Sequence, residues 1–112
     1  MAIQRGEIYR FNLEPTKGSE QQGNARPCVV LSVGAYNDKL PTVSIVPLTS
    51  AARRELPPIV VYVPSAGHYS SMAFCNQGRV VDKSRIVGKL VGKLSVEDLQ
   101  KIETGVKRYL GL

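Results

Sequence analysis

Two strand-end positions carry side chains that could act on a phosphate group. Arg26 precedes a proline, which holds its backbone extended at the mouth of the apolar run that follows. A guanidinium on such a rigid rim suits a phosphate, although pairing with a neighbouring carboxylate explains it equally well. Thr49 and Ser50 end another apolar run, where hydroxyls usually form turns but also donate to phosphate oxygens. The single histidine, His68, is best explained as a loop residue, and no His/Asp pair makes the hydroxyls acyl-transfer nucleophiles.

The largest excess of positive charge lies between residues 79 and 93. This stretch holds five basic side chains and one acidic side chain, whereas the whole chain has a net charge of +6. A charge run is usually a solvated face. Because so much of the excess is concentrated here, we favour a groove for a polyanion such as a nucleic acid. The basic residues are Arg79, Lys83, Arg85, Lys89 and Lys93.

The polar segment 14–26 connects two predicted strands and is long for a hairpin. It carries Gly18 and Gly23, but it has neither the Gly-Lys-Ser/Thr spacing of a P-loop nor a dinucleotide fingerprint. A surface loop without function is the more common explanation for such a segment. Long loops in compact domains are, however, often functional, so this loop is a candidate part of a site.

Metal and redox chemistry find little support in the residue pattern. Cys28 and Cys75 lie far apart in apolar stretches without a C-x-x-C motif, and the chain has one histidine. The carboxylates are scattered, which argues against a two-metal nuclease. We therefore expect two reduced, buried cysteines and no cofactor.

Short apolar runs separated by glycine and proline predict strands over most of the chain. The C-terminal tail changes to helical spacing after Ser95, whose side chain and Asp98 form a start resembling a capping box, and Gly111 is a plausible stop. This order predicts a small, strongly curved antiparallel sheet with a C-terminal helix packed on it. The predicted strands cover residues 8–13, 28–33, 43–48, 59–63, 72–81 and 85–94.

Length and composition describe one ordinary folded domain. The chain has 112 residues, of which 43% are hydrophobic and 21% charged, and we expect a single domain over 1–112. No apolar run approaches the roughly 18 residues that a membrane helix needs. The first residues contain no apolar signal core, so we expect a cytoplasmic protein.

Together these segments resemble the MazF/PemK family of toxins from type II toxin–antitoxin systems. Order and spacing agree over nearly the whole chain, and the most specific part is a G-S-E-Q loop followed closely by R-P. The resemblance implies an SH3-like barrel of the CcdB/MazF type, a homodimer and a metal-independent, sequence-specific endoribonuclease that cuts single-stranded mRNA. The matching segments are Arg5-Gly6-Glu7-Ile8-Tyr9, Pro15-Thr16-Lys17-Gly18-Ser19-Glu20-Gln21, Arg26-Pro27-Cys28-Val29-Val30, Pro47-Leu48-Thr49-Ser50 and Gln77-Gly78-Arg79-Val80-Val81-Asp82-Lys83.

The resemblance also implies roles for individual residues. Arg26 matches the catalytic arginine of the family and Thr49 its catalytic threonine, in a reaction where a ribose 2′-hydroxyl attacks its own 3′ phosphate. Because a guanidinium stays charged, we expect Arg26 to stabilise charge rather than transfer protons. Many relatives carry an acidic residue where this chain has Asn76, so Glu20 becomes the candidate base. The expected RNA-binding residues are Gly18, Ser19, Gln21, Ser50, Asn76, Gln77, Arg79, Lys83 and Arg85.

Partners and alternative functions follow from the same resemblance. A toxin of this family is held inactive by an antitoxin, whose acidic, extended segment would lie on the basic stretch 79–93. A CcdB-like gyrase-inhibiting toxin shares the fold, but its relatives use a C-terminal tryptophan, and this chain has none. A non-catalytic RNA-binding barrel would keep the basic groove without needing Arg26 and Thr49 together.

Overall fold

The computed structural model describes residues 2–50, 55–67 and 70–112, and His68 lies outside them. Among these residues, no helix combines the length and the apolar character of a membrane-spanning segment. The same ranges contain short 3-10 turns at Pro64–Ala66, Cys75–Gln77 and Lys83–Arg85. The strands are β1 (Glu7–Phe11), β2 (Arg26–Val30), β3 (Thr42–Thr49), β4 (Val60–Tyr62), β5 (Met72–Phe74), β6 (Arg79–Asp82) and β7 (Ile86–Lys93); the helices are α1 (Gly34–Lys39) and α2 (Val96–Leu110).

The strands form one antiparallel sheet in the order β4-β5-β3-β2-β1-β7, and β6 also pairs with β3. Strand β3 pairs with β2, with β6 along its first half and with β5 at its last two residues. A strand that changes partner along its length joins two parts of a sheet at an angle, which curves the sheet. The predicted fold, curved antiparallel strands with a C-terminal helix, is confirmed. In the described part of the chain β4 and β7 do not pair with each other, so the sheet is open there.

The central strands β1 and β2 bury side chains on both faces of the sheet. Neighbouring residues of β1 and β2 alternate between two apolar clusters, because successive side chains of a strand point to opposite faces. Ile8 and Val29 pack in the cluster that includes Ile102 of α2, whereas Tyr9 and Cys28 pack in the cluster on the other face. Burial on both faces explains why β2 appears in the sequence as part of an almost continuous apolar run.

Both cysteines are buried free thiols, as predicted. Burial raises the pKa of Cys28 to about 12 and the pKa of Cys75 to about 11. Since the thiolate is the reactive form of cysteine, both side chains are unreactive core residues at neutral pH.

Helix α2 begins and ends where the sequence predicts. The Ser95 hydroxyl accepts a hydrogen bond from the backbone N–H of Asp98 at 3.1 Å, and Gly111 ends the helix with a φ of +75°. In the middle of the helix, a Cβ atom on Gly105 would lie 2.5 Å from Sγ of Cys75. The helix therefore packs so closely on the Cys75–Gln77 turn that only glycine fits.

The predicted strand over 28–33 is wrong beyond Val30, where β2 ends. The unpredicted short helix α1 follows, with Val33 as its N-cap residue. The buried side chain of Asn37 donates hydrogen bonds to the backbone carbonyls of Ile3 at 3.0 Å and Ser32 at 2.9 Å. These polar contacts, rather than an apolar period, determine the local structure, which is why the sequence pattern did not reveal the helix.

The predicted strand over 72–81 is also divided, into β5 and β6 with the Cys75–Gln77 turn between them. Strand β5 pairs with the end of β3, at Leu48 and Thr49, whereas β6 pairs with its beginning. The chain has to turn between the two strands because their partners lie at opposite ends of β3.

Strand β7 contains a large bulge. Between the pairs Ile8–Gly92 and Arg10–Val87, one residue of β1 faces four residues of β7. Gly88 enters the bulge with a φ of +78°, a conformation that favours glycine. The predicted strand over 85–94 is therefore present but does not pair continuously.

Candidate functional site

Two polar clefts adjoin each other beside the β1–β2 connection. The arginine cleft has a volume of about 320 Å³, and the amide cleft has a volume of about 300 Å³. Glu20 and Gln21 line both clefts, so the two clefts form one continuous polar surface. The other residues of the arginine cleft are Gly18, Ser19, Gln22, Arg26 and Thr49, and those of the amide cleft are Pro47, Asn76, Gln77, Gly78 and Arg79.

The antiparallel pairing of β2 and β3 brings Arg26, at the start of β2, and Thr49, at the end of β3, to the same edge of the sheet. Cys28 pairs with Pro47 and Val29 with Val46, in antiparallel register. Arg26 and Thr49 both line the arginine cleft. Sheet pairing therefore brings together two residues that are 23 positions apart in the chain.

The Arg26 side chain is held against the β1–β2 connection. Its Nε and Nη2 atoms donate hydrogen bonds to the backbone carbonyl of Gln22, at 3.0 Å and 2.8 Å. These bonds use two of the five N–H groups of the guanidinium. The charge is thus fixed in a partly buried position at the cleft.

Glu20 lies in a tight turn of the same connection. Its carboxylate accepts a hydrogen bond from the backbone N–H of Lys17, and its own N–H donates to the Lys17 carbonyl at 3.2 Å. The turn presents Glu20 on the boundary between the two clefts. A carboxylate in this position can accept a proton from a ligand held in the arginine cleft.

Gln77 bridges the amide cleft to the β1–β2 connection. Its Oε1 atom accepts a hydrogen bond from the N–H of Gln21 at 3.4 Å, and its Nε2 atom donates to the carbonyl of Ser19 at 3.2 Å. The side chain amide therefore pairs with loop backbone much as a neighbouring strand would.

Two arginines of the basic stretch also hold the connection. Arg79 Nη1 donates to the carbonyl of Leu13 at 3.2 Å. Arg85 Nη1 donates to the carbonyls of Asn12 at 3.0 Å and Glu14 at 2.6 Å. Part of the hydrogen-bonding capacity of both guanidinium groups therefore supports the loop.

The fold therefore brings most of the predicted site residues together and leaves three of them outside the two clefts. The clefts bring together Arg26, Thr49 and Glu20 with six of the nine predicted RNA-binding residues, whereas Ser50, Lys83 and Arg85 line neither cleft. Sequence reasoning missed Glu14 and the carbonyl of Gln22. A carbonyl leaves no signal in a sequence, since every residue has one.

Metal ligands do not cluster in the part of the chain that the structure describes. In residues 2–50, 55–67 and 70–112, no group of three or more His, Cys, Asp or Glu side chains is placed to hold an ion. The two clefts present guanidinium, hydroxyl, carboxylate and amide groups.

An apolar surface lies next to the amide cleft. It is centred on a cleft of about 170 Å³, which Asn76 and Arg79 also line. Val80 is 66% exposed and Leu110 is 61% exposed, unusually high values for large apolar side chains lying together. The apolar surface comprises Leu31, Val80, Val106, Tyr109 and Leu110.

Known proteins match this chain in sequence and in structure over nearly its whole length. Residues 4–110 match the family described as PemK-like, MazF-like toxin of type II toxin-antitoxin system. Endoribonuclease MazF of Staphylococcus saprophyticus is 29% identical over 113 residues, which cover 98% of this chain and 92% of that protein. MazF from Deinococcus radiodurans superposes with a TM-score of 0.85 at 26% identity, covering 100% of this chain and 99% of that one. A mycobacterial endoribonuclease solved with its cognate antitoxin gives a TM-score of 0.80 at 25% identity, covering 99% and 97%.

Proposed function

The chain belongs to the family of PemK-like, MazF-like toxins of type II toxin–antitoxin systems, and we propose that it is an endoribonuclease that cuts single-stranded mRNA without a metal ion. The observation that carries this proposal is that Arg26 and Thr49 line one cleft. A charged donor and a hydroxyl on adjacent strand ends suit the non-bridging oxygens of one phosphate.

The reaction follows from these groups. The ribose 2′-hydroxyl oxygen attacks the adjacent 3′ phosphorus, forming the O2′–P bond and breaking the P–O5′ bond. Glu20 accepts the proton of the 2′-hydroxyl, and the departing 5′ oxygen takes a proton from water. Arg26 and Thr49 stabilise the charge on the pentacoordinate phosphorus. The products are a 2′,3′-cyclic phosphate and a 5′-hydroxyl.

The amide cleft supports recognition of bases beside the cut. Asn76 and Gln77 present amide groups there, and Arg79 adds a planar cation. Amide and guanidinium groups read the edges of unpaired bases, and a narrow cleft requires a single strand. We therefore assign sequence specificity to this cleft, with Gly18, Ser19, Gln21 and Ser50 along the backbone path and Lys83 and Arg85 adding positive charge.

The apolar surface supports a homodimer. Five apolar residues cluster there, and Val80 and Leu110 are more than half exposed. Such a surface on a small domain indicates an interface, because its burial is favourable. Since Asn76 and Arg79 reach this surface, two copies meeting there would bring their amide clefts close together.

The partner of the toxin is a cognate antitoxin with an acidic, extended segment. The mycobacterial relative is solved with its antitoxin. In this chain the basic stretch 79–93 provides the complementary charge. We place the protein in the cytoplasm, where mRNA is present and where buried free thiols such as Cys28 and Cys75 are usual.

A long single-stranded RNA incubated with the protein in EDTA tests the proposed function. We expect discrete cuts whose upstream fragments end in a cyclic phosphate, detected by their resistance to phosphatase until acid opens the ring. Activity that EDTA abolishes and magnesium restores would contradict the metal-independent mechanism. An absence of cuts, with RNA binding retained, would favour a non-catalytic RNA-binding protein.

A further inference from the structure

A single peptide group stands between Glu14 and Arg26. Its N–H belongs to Gly23 and donates to Oε1 of Glu14 at 3.2 Å. Its carbonyl belongs to Gln22 and accepts both hydrogen bonds from the Arg26 guanidinium, at 3.0 Å and 2.8 Å. The peptide plane is rigid, so the direction of its N–H determines the direction of its carbonyl.

Hydrogen bonds hold both the carboxylate and the backbone of Glu14. Its second carboxylate oxygen accepts hydrogen bonds from the backbone N–H and the hydroxyl of Thr16, each at 3.1 Å. Its backbone N–H donates to the side chain of Asn12 at 3.0 Å, and its carbonyl accepts from Arg85 at 2.6 Å. The carboxylate is therefore directed at the Gln22–Gly23 peptide by several independent contacts.

We propose that Glu14 is a positioning residue that acts through Arg26. By holding the N–H of Gly23, its carboxylate keeps the Gln22 carbonyl turned towards the guanidinium. This inference rests on the proposed endoribonuclease function, in which Arg26 stabilises charge at the phosphorus.

The local conformation shows why the peptide needs such a partner. Gly23 has a φ of +137°, which glycine adopts easily and other residues rarely do. A peptide next to a glycine rotates at low cost unless its polar groups are held. Rotation would turn the Gln22 carbonyl away and release the Arg26 side chain to other orientations. A small displacement of a charge at a reacting centre is costly for the rate.

The first experiment compares steady-state cleavage by Glu14→Ala with the wild type, on an oligoribonucleotide that carries a mapped cut site. We expect kcat to fall by about tenfold to a hundredfold with KM changed less than twofold, because an orienting contact is lost rather than a binding contact. Glu97→Ala is the matched control, since it removes an exposed carboxylate from α2, and it should keep wild-type rates. Unchanged kcat in Glu14→Ala would overturn the proposal.

The double variant Glu14→Ala/Arg26→Ala separates positioning from general weakening of the fold. If Glu14 acts through Arg26, the double variant cleaves as slowly as Arg26→Ala alone. Multiplying losses would show that Glu14 acts independently of Arg26 and would contradict the inference. If Glu14→Ala does not fold, Glu14→Leu replaces it, because leucine keeps much of the side-chain volume and has no acceptor for the N–H of Gly23. The same fall in kcat is expected, and an unchanged kcat would again overturn the proposal.

A measurement that does not depend on RNA cleavage distinguishes failure of the positioning role from failure of the proposed function. The Nε–H proton of Arg26, observed by NMR, should exchange slowly with water in the wild type and in Glu97→Ala. In Glu14→Ala the exchange should be at least about fivefold faster, as expected when a hydrogen-bonded group becomes free to open. If the wild type cuts no RNA but this difference appears, the proposed function fails and the positioning contact stands. Equal exchange in all three proteins would overturn the positioning role.

Discussion

Gln77 donates a hydrogen bond from its side-chain amide to the carbonyl of Ser19, 58 positions earlier in the chain. The other end of the amide accepts from the N–H of Gln21. The middle of the β1–β2 connection, which lines both clefts, is thus supported from the Cys75–Gln77 turn.

Gln77→Glu should loosen this connection without unfolding the protein. The new carboxylate cannot donate to the Ser19 carbonyl and would face it with like polarity. We expect hydrogen–deuterium exchange in a peptide covering residues 14–25 to become about fivefold faster or more, while the free energy of unfolding changes by roughly 0.5 kcal/mol or less. Gln100→Glu, on an exposed position of α2, is the control. Unchanged exchange in the Gln77 variant would show that the bridge does not hold the loop.

Arg26→Ala should abolish cleavage while leaving the fold intact. The guanidinium is held by a loop carbonyl rather than by the core, so its removal leaves the strand pairing in place. We expect a loss of about a hundredfold or more in kcat, the usual effect of removing an oriented charge from such a site. Arg108→Ala, in the last turn of α2, controls for loss of positive charge. An Arg26→Ala protein that cuts within about threefold of the wild-type rate would remove Arg26 from the mechanism.

Gly105→Ala should destabilise the protein, although alanine is the better helix former. Helix propensity alone would favour alanine by about 1 kcal/mol. The added Cβ, however, would lie 2.5 Å from Sγ of Cys75 and would clash with the carbonyl oxygen of Pro58. Because the backbone atoms there cannot yield easily, we expect a net loss of about 1–3 kcal/mol in urea unfolding. Thr104→Ala, at an exposed neighbouring position, should be neutral or stabilising, and a stabilising Gly105→Ala would disprove the close contact.

Protonation of Asp98 should account for part of the loss of stability in acid. Burial raises the pKa of its carboxyl, but hydrogen bonds from Ser65 and the contact with Lys101 outweigh this, and the net pKa is lowered. A lowered pKa in the folded state stabilises the protein above the unfolded pKa of about 3.9, and this contribution disappears as pH falls through the folded value. The difference in free energy of unfolding between pH 7 and pH 3 should therefore be smaller in Asp98→Asn than in the wild type. An equal difference in both proteins would exclude Asp98 as a source of acid sensitivity.

Salt should weaken the competition between an acidic antitoxin peptide and RNA. In the proposed mode of binding, both polyanions are attracted to the basic stretch 79–93, in which Lys89 and Lys93 of β7 are exposed. At about 1 M salt the Debye length shrinks to roughly 3 Å, so most of this attraction is screened. We expect a peptide titrated against labelled, uncleavable RNA to displace it at low salt and much less at high salt. Simultaneous binding without mutual effect would show that the two ligands use separate surfaces.

The sequence alone determined the elements whose signals are local. The cap at Ser95, the helical spacing after it and the stop at Gly111 define α2, because each contact lies within a few residues. Apolar runs located the buried strands, since burial on both faces leaves a continuous apolar signature. Arg26 and Thr49 were predicted to be site residues because Arg26 precedes such a run, Thr49 follows one, and both match a family motif.

Only the tertiary structure decided which backbone groups the polar side chains bind. Arg85 and Gln77 were predicted to bind RNA, yet they also donate to loop carbonyls 73 and 58 positions away. Asn37 of α1 donates to the carbonyl of Ile3, 34 positions earlier in the chain. Glu14 reaches Arg26 through a backbone peptide. Every residue carries the same backbone carbonyl, so no residue pattern marks which one a distant side chain will bind. That choice is made by the sheet register, which brings the segments together.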